Sequence, residues 1–324
     1  MSRRRAFQRP VATVVLIGLS AALLSACGGP GTWHTLASSP SARQEVSFVY
    51  SPSAKKFFLA GGHSPTQEAY DPRTDTWTSV APLPAALDHI QSVEHDGLIY
   101  YIGGLIAWPL PAVGSVYIYD PGSDRVSSGT PMPAGRERGA GGVAVYGDKI
   151  YYAGGLHAGV AVPWFDVYDT ATRTWSRLPD MPEPRDHFQA GVVGARFYAI
   201  GGRNTSIDAT TTVNDAFDFT TGAWVTGLAP LPTPRGGFGT AVLGTKLVII
   251  GGEGGGRTFQ TVEAYDTSAN AWQELAAMPT ARHGIEGAVC NGGVYIADGG
   301  TAQGGTAPTS RHEVFFLGGP TACP

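Results

Sequence analysis

Short apolar runs alternate with polar turns along this chain, and six of the runs lead into a pair of glycines. Phe58-Leu59-Ala60 precedes Gly61-Gly62, Tyr101-Ile102 precedes Gly103-Gly104, and Tyr152-Ala153 precedes Gly154-Gly155. Ala199-Ile200, Ile249-Ile250 and Ala297-Asp298 lead in the same way into Gly201-Gly202, Gly251-Gly252 and Gly299-Gly300. The pairs recur every 42 to 51 residues, the period of a repeat architecture in which each copy is one supersecondary unit. No window after residue 30 keeps a helical apolar period. Short apolar runs bounded by glycine, proline and Asx turns predict strands throughout.

Each copy continues in the same order. A loop follows the glycines, and then comes a strand ending in an aromatic and an acid: Tyr70-Asp71, Tyr119-Asp120, Tyr168-Asp169, Phe217-Asp218, Tyr265-Asp266. A tryptophan follows at Trp77, Trp175, Trp224 or Trp272, with Val126 in that place in the second copy. Next is a Pro-x-x-Arg segment, ending at Arg136, Arg185, Arg235 and Arg282, with Leu87 where the second copy departs. A turn such as Asp96-Gly97 or Gly147-Asp148 then joins two strands as a hairpin. Every copy therefore predicts four strands, here a to d, with the glycines closing strand b.

The double glycine, Tyr-Asp and spaced Trp resemble the kelch repeat over about residues 32–318. That resemblance implies an all-β, six-bladed β-propeller, with four-stranded antiparallel blades around a channel. The last copy holds strands a to c and lacks a tryptophan strand, whereas Thr32-Trp33-His34-Thr35-Leu36 and Pro40 to Arg43 supply one at the start. The N-terminal strand is therefore expected to join the last blade and close the ring, which removes two open sheet edges. Residues 27–31 read as a linker and 319–324 as a C-terminal tail. In such a ring Cys290 and Cys323 can meet, and an exported protein encounters oxidising conditions, so a disulfide is a possibility beside a free thiol.

Export is read from the first residues. Arg3, Arg4, Arg5 and Arg9 are basic, and Val11–Leu24 is apolar but short for a membrane span. Leu24-Ser25-Ala26-Cys27 resembles a bacterial lipobox, which implies a signal peptide over 1–26, acylation of Cys27, and a lipid anchor holding the protein on the extracytoplasmic side of the envelope. Arg4-Arg5-Ala6-Phe7 also resembles a twin-arginine signal. The chain carries −4 overall, and removing the four leader arginines leaves 18 basic residues against 26 acidic ones. That balance argues against nucleic acid as a partner.

Function is expected on one face. The a–b and c–d connections are short or uniform, while the b–c loops vary and share an end of the ring with the d–a segments. Variable loops on a rigid scaffold collect binding residues. The ligand-binding candidates there are His63, His89, Arg138, His157, His187, Arg203, Glu253, Arg257 and His283. Glu45, Asp88, Asp186 and Glu286 stand in the same segments, and Trp108 and Trp164 add aromatic surface. The recurrent arginines read as structural. No catalytic residue is assigned, since no nucleophile elbow, phosphate loop or Cys/His dyad occurs. Gly251 to Gly256 reads as a flexible loop. No cofactor is expected, and no metal, because no close ligand spacing appears. The expectation is a module that binds a glycan or protein partner, its oligomeric state left open with a monomer as the default. The alternative is a carbohydrate-processing enzyme, as the resemblance to exported kelch proteins such as sialic acid mutarotases implies, although no motif beyond the repeat carries over.

Overall fold

A computed structural model describes residues 29–106 and 111–324. The leader, Cys27 and Trp108 lie outside the described residues. Six four-stranded antiparallel sheets account for the fold, and no α-helix occurs among the described residues. The third blade is representative: Gly142–Tyr146, Lys149–Ala153, Phe165–Asp169 and Thr174–Leu178 are strands a to d, paired in that order. The last blade is assembled from both ends of the chain. Ala288–Cys290, Gly293–Ala297 and His312–Phe316 are its first three strands, and Thr32–Thr35 pairs antiparallel with His312–Phe316 as the fourth.

The core lies between blades, not inside any one of them. Phe58, Leu83, Leu87, Tyr101 and Tyr119 pack the first blade on the second, and Ile102, Ile118, Tyr152 and Tyr168 pack the second on the third. Phe48, Phe57, Tyr70, Tyr295 and Phe316 join the last blade to the first. A four-stranded sheet buries both faces only when a neighbour covers each one, so the ring is the smallest stable unit. The tryptophans of strand d add a polar staple. The indole N–H groups of Trp77, Trp175, Trp224 and Trp272 each donate to a carbonyl of the preceding blade, at Ala37, Thr130, Pro179 and Ala229. Trp33 does the same to Ala276 (2.8 Å), so the closing strand is stapled like those of every blade but the second.

The glycine pair has a geometric cause. In the third blade the backbone N–H of Gly155 donates to the carbonyl of Arg185 in the next blade (2.9 Å). Gly155 has φ 104°, and a β-carbon there would lie 2.6 Å from the Gly139 carbonyl oxygen. Two blades place the motif one residue away from the sequence reading. In the first, His63 (φ 58°) makes the bond to the next blade's Leu87 carbonyl. In the last, Gly299 bonds Arg43, so Asp298 (φ 59°) and Gly299 occupy the two positions. His63 and Asp298 thus hold left-handed conformations that glycine adopts without strain.

Cys290 and Cys323 are bonded, with Cα atoms 5.5 Å apart, and both are buried against the interface of the last and first blades. Among the described residues no helix is long and apolar enough to cross a membrane.

Deleting residues 32–36 should expose the edge of His312–Phe316 and remove the Trp33 staple. Differential scanning calorimetry is expected to show a broadened transition lowered by about 10 °C or more. A sharp, unshifted transition would mean that the last blade stands without its N-terminal strand.

Candidate functional site

Five buried arginines frame the inner end of the blades. Arg138, Arg185, Arg235 and Arg282 are fully buried, and Arg43 nearly so. Each pairs with a carboxylate on strand c of its own blade: Arg138 with Asp166 (2.7 Å), Arg185 with Asp215 (2.9 Å), Arg235 with Glu263 (2.5 Å), Arg282 with Glu313 (2.7 Å), and Arg43 with Glu68. Backbone carbonyls near the glycine turn take remaining donors, as Gly154 and Tyr152 do for Arg138. The second blade has Leu87 at this position, buried in an apolar cluster against which Tyr117, at the carboxylate position, packs. Cation and anion are lost together, as they must be where a lone buried charge would cost about 3–5 kcal/mol.

This arrangement corrects two readings. The repeated arginine of the third blade is Arg138, not Arg136, because Arg136-Glu137 is a two-residue insertion after Pro133. Arg138 is accordingly a blade spoke and not a ligand contact: it is saturated by Asp166, Gly154, Tyr152 and Arg136. The Gly251–Gly256 run is also ordered, since Glu253–Gly254 pairs with Arg257–Thr258 as a small hairpin.

Two residues beyond each spoke position the chain turns at the axis. Glu45, His89, Ala140, His187, Gly237 and Gly284 all have positive φ, between 51° and 64°. Their backbones form a closed hydrogen-bonded ring. His89 N–H donates to Glu45 O (3.2 Å), Ala140 to His89 (2.9 Å), His187 to Ala140 (2.7 Å), Gly237 to His187 (2.8 Å) and Gly284 to Gly237 (2.7 Å), and Val46 N–H closes the circuit onto Gly284 O (3.3 Å). Glu45, His89 and His187 thereby carry functional side chains to one point on the axis, although 98 residues separate the two histidines.

These three residues form part of the floor of a cleft of about 680 Å³, walled by Arg43, Gln44, His63, Asp88, Arg203, Glu253, Ile207 and the Gly304–Pro308 segment. His89 Nε2 lies 2.8 Å from His187 Nε2 and 3.2 Å from Glu45 Oε2. On the far side of each ring, Nδ1 meets the preceding aspartate: Asp88 at 3.0 Å and Asp186 at 2.5 Å. Arg203 spans the wall, with Nε on Asp186 (3.1 Å), Nη1 on Glu253 (2.9 Å) and Nη2 on His187 Nε2 (2.8 Å). Burial opposes a charge on either ring. For His89 the Glu45 and Asp88 carboxylates overcome it and push the pKa up, whereas burial and Arg203 bring His187 down to about 4. Burial also opposes ionisation of Glu45, but His89 and His283 beside it hold its pKa well below the usual carboxylate range.

Of the residues proposed from sequence, the structure gathers His63, His89, His187, Arg203 and Glu253 around this cleft. His283 is buried behind it, with Nδ1 3.3 Å from Glu45 and 3.5 Å from Glu253. His157 stands apart, bonded to the Glu137 carbonyl and packed on Trp164, and Arg257 lies exposed over Phe259. Sequence reasoning noted Glu45 but did not rank it, and missed Gln44. The position two residues past the spoke was the signal that would have singled out Glu45. The carboxylate and imidazole atoms of Glu45, His89 and His187 all lie within 4.8 Å of one another, a grouping suited to a cation.

Fold and site together define a six-bladed β-propeller with a polar cleft at one mouth. The KLHDC2/KLHL20/DRC7 Kelch-repeats domain matches residues 143–315, and the chain belongs to the kelch-repeat family. Among relatives, it is 35% identical over 255 residues to kelch-like protein terF of Aspergillus terreus, covering 74% of this chain and 55% of that protein. It is 26% identical over 264 residues to human kelch-like protein 23, covering 78% of this chain and 45% of that one. The chain thus spans about half the length of these relatives. The solved structure of YjhT superposes with a TM-score of 0.74 at 16% identity, over 86% of this chain and 95% of that one, a likeness of fold. Kelch propellers typically serve as interaction modules.

Below the floor the strands a enclose a second cavity of about 340 Å³, the channel itself, lined by Gln91, Ser92, Gln189, Thr240, Glu286 and small apolar residues. Glu286 is buried, and its Oε2 accepts from Phe48 N–H (2.8 Å) and Ser92 Oγ (3.0 Å). Burial outweighs these bonds and pushes its pKa up from 4.5 to about 8. The folded protein therefore holds a proton there that the unfolded chain releases above pH 4.5. Stability from this group is complete at lower pH and declines as pH rises through 8. Glu286→Gln keeps both accepted bonds and removes the titration. Its melting temperature should overtake that of the parent between pH 5 and 9, by several degrees at the alkaline end. Parallel melting curves for the two proteins across that range would contradict the assignment.

Proposed function

We propose that the protein is an extracytoplasmic, lipid-anchored propeller that captures a small hydroxyl-rich ligand, such as the end of a glycan, in its mouth cleft. The observation that carries this reading is the cleft's shape and lining. At about 680 Å³ it falls within the range of small-molecule sites. It offers His63 and Gln44 as donors and Glu45 as an acceptor, beside the internally paired Arg203, Asp88 and Glu253 and the apolar Ile207 and Pro308. Polar side chains beside a larger apolar surface suit a sugar, whose ring has polar edges and a less polar face. A protein partner would be favoured by a flat mouth. The anchor and its compartment rest on Arg3 to Arg9, the apolar Val11–Leu24 and Cys27.

The ligand is testable without touching the buried spokes. The His63 side chain is 55% exposed, and removing it leaves Asp88 paired with His89. His63→Ala and Gln44→Ala should each weaken binding of a panel saccharide about tenfold, read by calorimetry or saturation-transfer NMR, and Arg257→Ala should leave it unchanged. Loss on Arg257→Ala with no effect at His63 or Gln44 would move the site off the cleft. Silence across neutral and acidic sugars would favour a protein partner.

A further inference from the structure

The ring position that carries Glu45, His89 and His187 is occupied by glycine in two blades, where a left-handed backbone costs nothing. Three functional side chains are held there at φ 55°, 51° and 53°, strain of the kind retained at functional sites. The blade scaffold does not demand these residues, since Ala140 fills the same position in the third blade.

Their arrangement has the form of a metal-ligand set. Both imidazoles point Nε2 to the axis, and both have Nδ1 against a carboxylate, Asp88 or Asp186. That second contact fixes ring and tautomer in metal-binding histidines, leaving Nε2 as the coordinating atom. His187 Nδ1 bonds Asp186, while His89 Nδ1 lies 3.0 Å from Asp88 outside hydrogen-bond geometry. When Nδ1 carries the proton on both rings, the two Nε2 atoms 2.8 Å apart need a proton between them, and a cation can replace it. The surrounding charge favours one: the Glu45, Asp88, Asp186 and Glu253 carboxylates converge here, with Arg203 as the guanidinium bonded into the group.

We propose that Glu45, His89 and His187 bind a divalent transition-metal ion of the zinc class, with its remaining coordination position open to the mouth cleft. Two nitrogens and one carboxylate oxygen, with one position left over, match three-ligand zinc sites and the two-histidine, one-carboxylate triad. Zn–N bonds of about 2.0–2.1 Å in a tetrahedron set the nitrogens about 3.3 Å apart, so the rings part by about half an ångström. Arg203 Nη2, now 2.8 Å from His187 Nε2, gives up that contact while its Nε and Nη1 stay on Asp186 and Glu253. The metal site does not depend on the saccharide reading, because it is tested with the ion alone.

The experiment titrates chelator-treated, dialysed protein with Zn²⁺ and Co²⁺ near neutral pH. The expected result is one equivalent bound at micromolar affinity or tighter, visible Co²⁺ d–d absorption, and a raised melting temperature. In imidazole-selective ¹⁵N NMR the Nε2 resonances of His89 and His187 should move while their Nδ1–H signals persist. His89→Gln, His187→Asn and Glu45→Gln should each weaken binding at least tenfold, with His95→Ala, at the exposed His95/Asp96/Asp148 group, leaving it unchanged. No binding by the parent protein, binding retained in both histidine variants, or loss only in His95→Ala would overturn the proposal. Should a histidine variant fold poorly, the NMR spectrum of the parent protein decides.

Discussion

The closed ring of six backbone hydrogen bonds at the axis is the constraint on which the rest of this structure depends. Each bond joins one blade to the next, from Glu45 through His89, Ala140, His187, Gly237 and Gly284 and back to Val46. A ring of this kind fixes how far the blades can splay, because lengthening one link breaks the circuit. It also dictates backbone shape: the six turn residues are left-handed, and five of them present their N–H to one neighbour and their C=O to the other, with Val46 supplying the N–H beside Glu45. Glycine meets that demand most cheaply. Where another residue stands, its side chain is delivered to the axis whether or not the fold has use for it.

The spokes hold this ring to the sheets. A buried arginine reaches from the residues just before the ring to the carboxylate on strand c and to the carbonyls at the end of strand b. One side chain thus ties the d–a segment, the glycine turn and strand c of each blade together. Desolvating such a pair offsets much of its Coulomb gain, so its value lies in position more than in net stability. The second blade supports that view. It replaces the whole pair with Leu87 and Tyr117 and still joins the ring at His89. Apolar packing substitutes for the ion pair when both partners change.

The sequence made the scaffold legible because the scaffold is what repeats. Glycine turns, strand-d tryptophans and the split last blade all follow from local pattern and from the need to cover sheet edges. The slips were of register. Arg136 completes the local motif and also reaches Asp166, so only the bonds to the Gly154 and Tyr152 carbonyls mark Arg138 as the spoke. His63 and Asp298 replace glycine at left-handed positions, which disguises the glycine pair by one residue. The site was half legible. His89 and His187 follow aspartates in equivalent positions, so their kinship could be read. Their meeting with Glu45 could not, because it joins three blades across the axis and depends on ring closure, a property of no segment.

The same three side chains separate two compartments. Glu45, His89 and His187 line the mouth cleft above and also the narrow neck leading to the channel below. The neck is about 30 Å³, room for roughly one water. A sugar-sized ligand in the cleft therefore meets a closed floor of imidazole and carboxylate and goes no further. Beneath it, Glu286 shares a cavity with Gln91, Ser92, Gln189, Thr240 and several valines and alanines, and burial keeps its proton on. The constriction lies at the neck and not in the channel, which holds about 340 Å³ beneath it.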